Sequence, residues 1–120
     1  LTPAGLAMTS VGRDPAIRSG DVRLDARAYT ALEVTMAIKP APGEKDFAAF
    51  FWGTTFMPIN GEANVSCPLY ADEGMHRYRF DLAQHPKWQG TLKRLRFDPI
   101  QAGDRTITIE SIKLVPVAKP

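Results

Sequence analysis

Apolar and polar residues alternate along most of this chain. From Ala31 to Lys39, Leu32, Val34, Met36 and Ile38 fall on one phase and Glu33, Thr35, Ala37 and Lys39 on the other, the pattern of a half-buried strand. The same period of two recurs at Val22 and Leu24, at Val65, Cys67 and Leu69, at Tyr78, Phe80 and Leu82, and at Leu95 and Phe97. Residues 106–114 carry Ile107 and Ile109 on one phase but Ile112 and Leu114 on the other, so a single strand there requires a bulge near Glu110 and Ser111. Residues 47–55, Phe-Ala-Ala-Phe-Phe-Trp-Gly-Thr-Thr, have no polar face, which places a covering on both sides or something other than water on the second. Asp14-Pro15, Ser19-Gly20, residues 39–43, residues 58–61, residues 72–74, His85-Pro86 and residues 102–104 separate these runs as turns. Pro68 lies inside a run and predicts an edge strand for residues 65–70, because it has no N–H to give a ladder.

No stretch repeats apolar residues at helical spacing without a breaker. Seven or eight short strands with frequent turns predict an all-β fold, an antiparallel two-sheet sandwich with Greek-key or jelly-roll connections. Parallel sheets would require crossover helices. The 120 residues suffice for one core, so residues 1–120 read as a single module, and the start at Leu1 suggests a piece of a longer protein. Residues 115–120, Val-Pro-Val-Ala-Lys-Pro, read as a linker-like end.

Fifteen Lys and Arg against thirteen Asp and Glu leave a net charge of +2, too little to imply nucleic acid. No run approaches the ~20 apolar residues of a membrane-spanning helix. One cysteine, Cys67, excludes an internal disulfide, and its alternation with Val65 and Leu69 makes it a small apolar filler. Catalytic signatures are missing: there is no HExxH, no phosphate-binding glycine loop and no GxSxG elbow. His76 and His85 lack a second imidazole at ligand spacing, His76 reading as a hydrogen-bonded strand start and His85 as a loop residue. The carboxylate pairs fall in turns or on exposed faces, and nothing sets two of them across a glycosidic bond. The sequence therefore reads as a non-enzyme.

Aromatic and basic residues supply the candidate chemistry. If Phe47, Ala49 and Phe51 face the core, Phe50 and Trp52 face away and form a platform on which a pyranose stacks its C–H face. The opposite phase puts Trp52 in the core. Trp88, in the polar loop around Gln84 to Thr91, is either a rim aromatic for a sugar or a lid on one end of the core. Arg77 and Arg79 share one polar phase, and Arg94 and Arg96 another. On one sheet face the four would fork carboxylates, sulfates or vicinal hydroxyls; otherwise they pair across strands with acids such as Asp81, Asp98 and Glu110.

The runs His76-Arg-Tyr-Arg-Phe-Asp-Leu82, Trp88-Gln-Gly90, Leu95-Arg-Phe-Asp-Pro99, Gly103 and residues 107–114 resemble the closing strands of galactose-binding-like jelly-roll modules attached to bacterial polysaccharide-degrading enzymes. Gly12-Arg-Asp-Pro15, the strand from Leu32 to Ile38 and the pair Phe51-Trp52 fit the same outline. The resemblance implies an exported, non-catalytic carbohydrate-binding module that holds an attached glycoside hydrolase or lyase on its polysaccharide. Its implied partners are a polysaccharide or oligosaccharide, acidic ones included, and the neighbouring domains of the parent protein, with no nucleic acid and no membrane. The expected sugar-contacting residues are Trp52, Phe50, Arg77, Arg79, Arg94 and Trp88. The resemblance also implies a structural calcium ion, for which Asp14, Asp98 and Asp104 are the weak oxygen candidates in a chain with no dense acidic loop. The alternative is a structural or interaction β-sandwich domain with no sugar site.

Overall fold

The computed structural model describes residues 6–10, 16–101 and 105–117. The chain forms an antiparallel two-sheet β-sandwich, with nine strands and no α-helix among the described residues. In chain order these are β1 (Leu6–Ser10), β2 (Ile17–Arg18), β3 (Leu24–Asp25), β4 (Tyr29–Lys39), β5 (Phe47–Thr54), β6 (Asn64–Pro68), β7 (His76–Asp81), β8 (Thr91–Asp98) and β9 (Arg105–Pro116). A single 3-10 turn, Ala26–Ala28, joins β3 to β4 and is capped by the Asp25 carboxylate, which accepts from the Arg27 N–H at 3.0 Å.

One sheet has the order β1-β9-β4-β7 and the other β2-β8-β5-β6, with β3 pairing β8 beyond β2. After β4 the chain alternates between them: β5 and β6 form a hairpin in the second sheet, β7 returns to the first, β8 to the second and β9 to the first. The core lies between the sheets, where Leu32, Val34, Met36 and Ile38 of β4 meet Ala48, Phe50 and Trp52 of β5. Complete burial of side chains of this size contributes roughly 1.5–3 kcal/mol each.

The bulge required by the two phases of β9 is present. Thr35 pairs with Ser111 and Met36 with Ile109, so Glu110 is the extra residue and all four apolar side chains turn inward. A second shift, Gly53 opposite Arg94 but Thr54 opposite Leu92, does the same for Leu92 and Leu95 on β8. β6 is an edge strand, as Pro68 predicts, but it ends at Pro68 rather than at residue 70, leaving Leu69 and Tyr70 beyond it. The linker-like reading of residues 115–120 is corrected at its start: Val115 and Pro116 end β9 opposite Ala31 and Tyr29, and the Val117 N–H bonds to the Ala28 carbonyl at 2.9 Å. Residues 118–120 lie outside the described residues.

Candidate functional site

The phase of β5 decides the fate of the expected platform, and it is the opposite of the one that would build it. Trp52 is 0% exposed and Phe50 is buried beside it, their ring centroids 6.0 Å apart. The outward phase holds Phe47, Ala49 and Phe51. Phe51 pairs across strands with Arg96, whose guanidinium carbon sits 4.5 Å from the ring centroid and covers it. Arg96 in turn donates to both carboxylate oxygens of fully buried Asp98, at 2.9 and 2.7 Å. An aromatic face of β5 is thus hidden by an ion pair rather than presented to a ligand.

Trp88 is a lid on the core and not a rim aromatic: it is 6% exposed, packs edge-on to Trp52 at 4.9 Å, and donates its indole N–H to the Tyr29 carbonyl at 3.1 Å. The Trp52 indole donates to the Lys87 carbonyl at 2.9 Å, so the two rings clamp the loop of residues 82–90 to both sheets.

The four arginines do not share a face. Arg77 and Arg79 are on β7 and Arg94 and Arg96 on β8, in different sheets, because the chain crosses the sandwich between them. Arg79 is tied to Asp81 at 2.8 Å and Glu33 at 3.4 Å, and these acids raise its pKa above the ordinary guanidinium value, Asp81 by its hydrogen bond first. Arg94 pairs with Asp21 at 2.8 Å. Arg77 projects from the edge of the first sheet, exposed.

Of the calcium candidates, Asp98 gives both oxygens to Arg96, which makes it a poor cation ligand. Asp14 and Asp104 lie outside the described residues, as does Gly12-Arg-Asp-Pro15. Among the described residues no group of three or more His, Cys, Asp or Glu side chains is placed to hold a metal ion.

One exposed aromatic to which the sequence pattern assigns no role is Tyr70, just beyond β6. It is 55% exposed and lies where β6 and β7, the edge strands of the two sheets, run side by side. A groove of about 390 Å³ opens there, lined by Cys67, Pro68, Leu69, Tyr70, Arg77, Tyr78 and Arg79. Three interactions fix the Tyr70 ring. Its backbone N–H donates to the Tyr78 hydroxyl at 3.2 Å, its ring stacks on His76 at 4.1 Å with 23° between planes, and His76 Nε2 donates to Asp72 at 2.6 Å. Asp72 also accepts from the Gly74 N–H at 2.8 Å. These bonds, the His76 one first, hold the Asp72 carboxyl below the usual carboxylate range. Burial pushes the Cys67 thiol and the Tyr78 phenol up, so both stay protonated at neutral pH.

A second concavity, of about 450 Å³, lies at one end of the sandwich between the β5–β6 turn and the loop of residues 87–91. Thr54, Thr55, Lys87 and Gln89 line it beside Phe56, which is 96% exposed at the tip of the turn. Arg94 and Lys93 line a smaller hollow of about 300 Å³ on the other side of that turn.

No protein-family model and no curated protein matches this sequence.

Proposed function

We propose that this chain is a non-catalytic carbohydrate-binding module of the galactose-binding-like kind, one that holds a tethered enzyme on its polysaccharide, and that the sugar stacks on Tyr70 with Arg77 as its polar contact. The observation that carries this reading is the exposed Tyr70 ring backed by His76. A saccharide needs a flat apolar surface to cover its C–H face and nearby forked donors for its hydroxyls or carboxylates. Tyr70 offers the first already ordered, which lowers the entropic cost of binding, and Arg77 lines the same groove to supply the second. The groove is shallow and desolvates little of a ligand, so single-site binding is weak. Tethering makes it useful by raising the local concentration of the attached catalytic domain at its substrate. The module is exported in this reading, as its polymeric ligand requires.

Affinity electrophoresis of the chain through gels containing neutral and acidic polysaccharides tests the proposal. Retardation by at least one polysaccharide is expected, abolished by Tyr70→Ala and weakened by Arg77→Ala, with the unfolding midpoint of both variants close to that of the parent. Retardation that falls steeply with salt identifies an acidic ligand gripped by Arg77; insensitivity to salt identifies a neutral one. Silence across both classes, or retardation indifferent to Tyr70, overturns the reading. The alternative, an interaction domain without a sugar site, is favoured by Phe56, whose exposed ring suits a protein contact; it gains if the gels are silent and Phe56→Ser releases a neighbouring domain of the parent protein.

A further inference from the structure

The end of the sandwich that carries Phe56 holds its ring on a fixed backbone. Thr54 and Met57 close a two-residue turn with a pair of bonds, the Thr54 N–H to the Met57 carbonyl at 2.6 Å and the Met57 N–H to the Thr54 carbonyl at 3.3 Å. Thr55 and Phe56 stand at its tip, and the Thr55 N–H is tied to the Thr91 carbonyl of β8 at 3.3 Å. Behind the turn, the Asn60 side chain accepts from the Glu62 and Ala63 N–H groups and donates to the Pro58 carbonyl, so the rest of the β5–β6 connection is bonded within itself.

The facing wall comes from the loop that crosses the sandwich. The Lys87 carbonyl accepts from the Trp52 indole at 2.9 Å and from the Gln89 N–H at 3.1 Å, and the Lys87 N–H donates to His85 Nδ1 at 3.0 Å. Gly90 turns the chain into β8 at φ +78°, a left-handed conformation open to glycine, and its carbonyl accepts from the Ala26 N–H at 3.0 Å. Lys87 and Gln89, exposed on either side of buried Trp88, are thereby fixed at the backbone.

Between turn and loop lies the concavity of about 450 Å³, inside the roughly 300–1,000 Å³ range of small-molecule sites. Phe56 and Met57 give it an apolar side, while Thr54, Thr55, Thr91, Gln89 and Lys87 bring hydroxyl, amide and ammonium groups to it. No acidic side chain lines it among the described residues, and the Lys87 ammonium is balanced by Glu62 at 3.8 Å. That separation is too long for a hydrogen bond, so Glu62 offsets the charge without taking up the ammonium donors.

We propose that this concavity is a second saccharide site, one that takes a neutral pyranose unit, the sugar laying its C–H face on Phe56 and giving its hydroxyls to Gln89, Lys87 and the threonines. The balanced Lys87–Glu62 pair selects a neutral unit here, in contrast to the Tyr70 groove with its exposed Arg77. The surroundings of Phe56 favour a sugar over a protein surface: apart from Met57, the groups facing it across the concavity are polar, whereas the buried centre of a protein contact is apolar and depleted of charge. This inference rests on the reading of the chain as a saccharide binder but uses no residue of the Tyr70 groove. About 23 Å of strand separate Thr54 from Phe47, the residue opposite Pro68, so the two sites are distinct. Two weak contacts to one polymer then reinforce each other through effective concentration.

Amide chemical-shift titration of the isotopically labelled chain with cellotetraose, xylotetraose, mannotetraose and tetragalacturonate tests this. At least one neutral tetraose is expected to shift the amides of residues 54–57 and 87–91 saturably below about 10 mM. Phe56→Ala abolishes those shifts, and Gln89→Ala weakens the binding about two- to tenfold, the effect of one lost hydrogen bond. Both side chains are exposed, so the unfolding midpoints of the two variants stay close to that of the parent. Shifts at residues 54–57 and 87–91 that survive Tyr70→Ala uphold the site whatever the fate of the Tyr70 groove; shifts confined to residues 68–78 overturn it and leave the Tyr70 reading standing. Silence at residues 54–57 and 87–91 across the panel, tighter binding there by tetragalacturonate than by every neutral tetraose, or full binding by Phe56→Ala also overturns it. So does a dimer in sedimentation that Phe56→Ala dissociates, with no sugar-induced shift at this end, which assigns the ring to a protein contact.

Discussion

Trp52→Ala separates a core indole from a sugar platform by stability alone. Trp52 is fully buried, packs against Phe50, Trp88 and His85, and donates a 2.9 Å hydrogen bond to the Lys87 carbonyl. Truncating a buried aromatic to Ala costs about 3–5 kcal/mol through lost transfer energy and the cavity left behind. The Lys87 carbonyl also loses its donor, and the upper part of that range applies if water does not reach it. At about 4 °C per kcal/mol for a domain of this size, the midpoint falls by about 12–20 °C. Trp52→Phe keeps most of the ring volume, loses the hydrogen bond and falls by about 1–2 kcal/mol. Urea unfolding followed by circular dichroism measures both. A loss below about 1 kcal/mol in Trp52→Ala refutes the burial argument. So does a variant that folds as the parent does and loses only polysaccharide retention.

Three further outcomes follow from other parts of the molecule. Arg96→Leu strips two charge-assisted hydrogen bonds from buried Asp98 and uncovers Phe51, costing about 3 kcal/mol in urea unfolding; adding Asp98→Asn recovers part of the loss, and no recovery refutes the pairing. Asp72 has its carboxyl lowered by His76, then Gly74, so its contribution is complete above its unfolded value near ~4 and is lost as pH falls through the lower folded value. Asp72→Asn therefore shows a smaller stability loss than the parent between about pH 6 and about pH 3, and an unchanged loss contradicts the assignment. Gly53→Ala places a Cβ 3.0 Å from the Ile59 nitrogen and 3.2 Å from the Met57 oxygen, both backbone atoms of the β5–β6 connection, and is expected to lower stability by about 1–3 kcal/mol; a neutral result in thermal unfolding means that connection moves freely.

The strands were legible wherever one face is wet. β4 shows its alternation because Glu33 and Thr35 face outward while Leu32 and Val34 face in, and the β9 bulge was readable because two apolar phases cannot both be buried on one straight strand. β5 was not readable, since both of its phases are apolar and the choice between them rests on Arg96 covering Phe51. That contact requires β5 and β8 to pair with Phe51 opposite Arg96, a long-range register the local sequence does not encode. The arginine patch failed for a related reason: β7 and β8 are consecutive in sequence but separated by the loop of residues 82–90, which crosses the sandwich instead of turning a hairpin. Tyr70 gave no periodic signal because it follows Pro68 into a polar loop, and its support, His76 held by Asp72, depends on the turn at residues 71–75.

The aromatic residues thus divide by what holds them. Trp52, Trp88 and Phe50 lean on one another and on carbonyls of the crossing loop and β4, so a change in any of them is felt by the core and by the link between the sheets. Tyr70 leans on His76, which leans on Asp72, a chain of contacts that runs along the outside of one edge. Exposed interactions of this kind contribute little to global stability, commonly within about 1 kcal/mol. Yet they fix the ring in place before any ligand arrives, which is what a weak, shallow site requires. Loss of Asp72 or His76 should then loosen the Tyr70 ring and weaken polysaccharide retention while the two sheets remain folded. Binding and folding are separable at this edge, and at the indoles they are not.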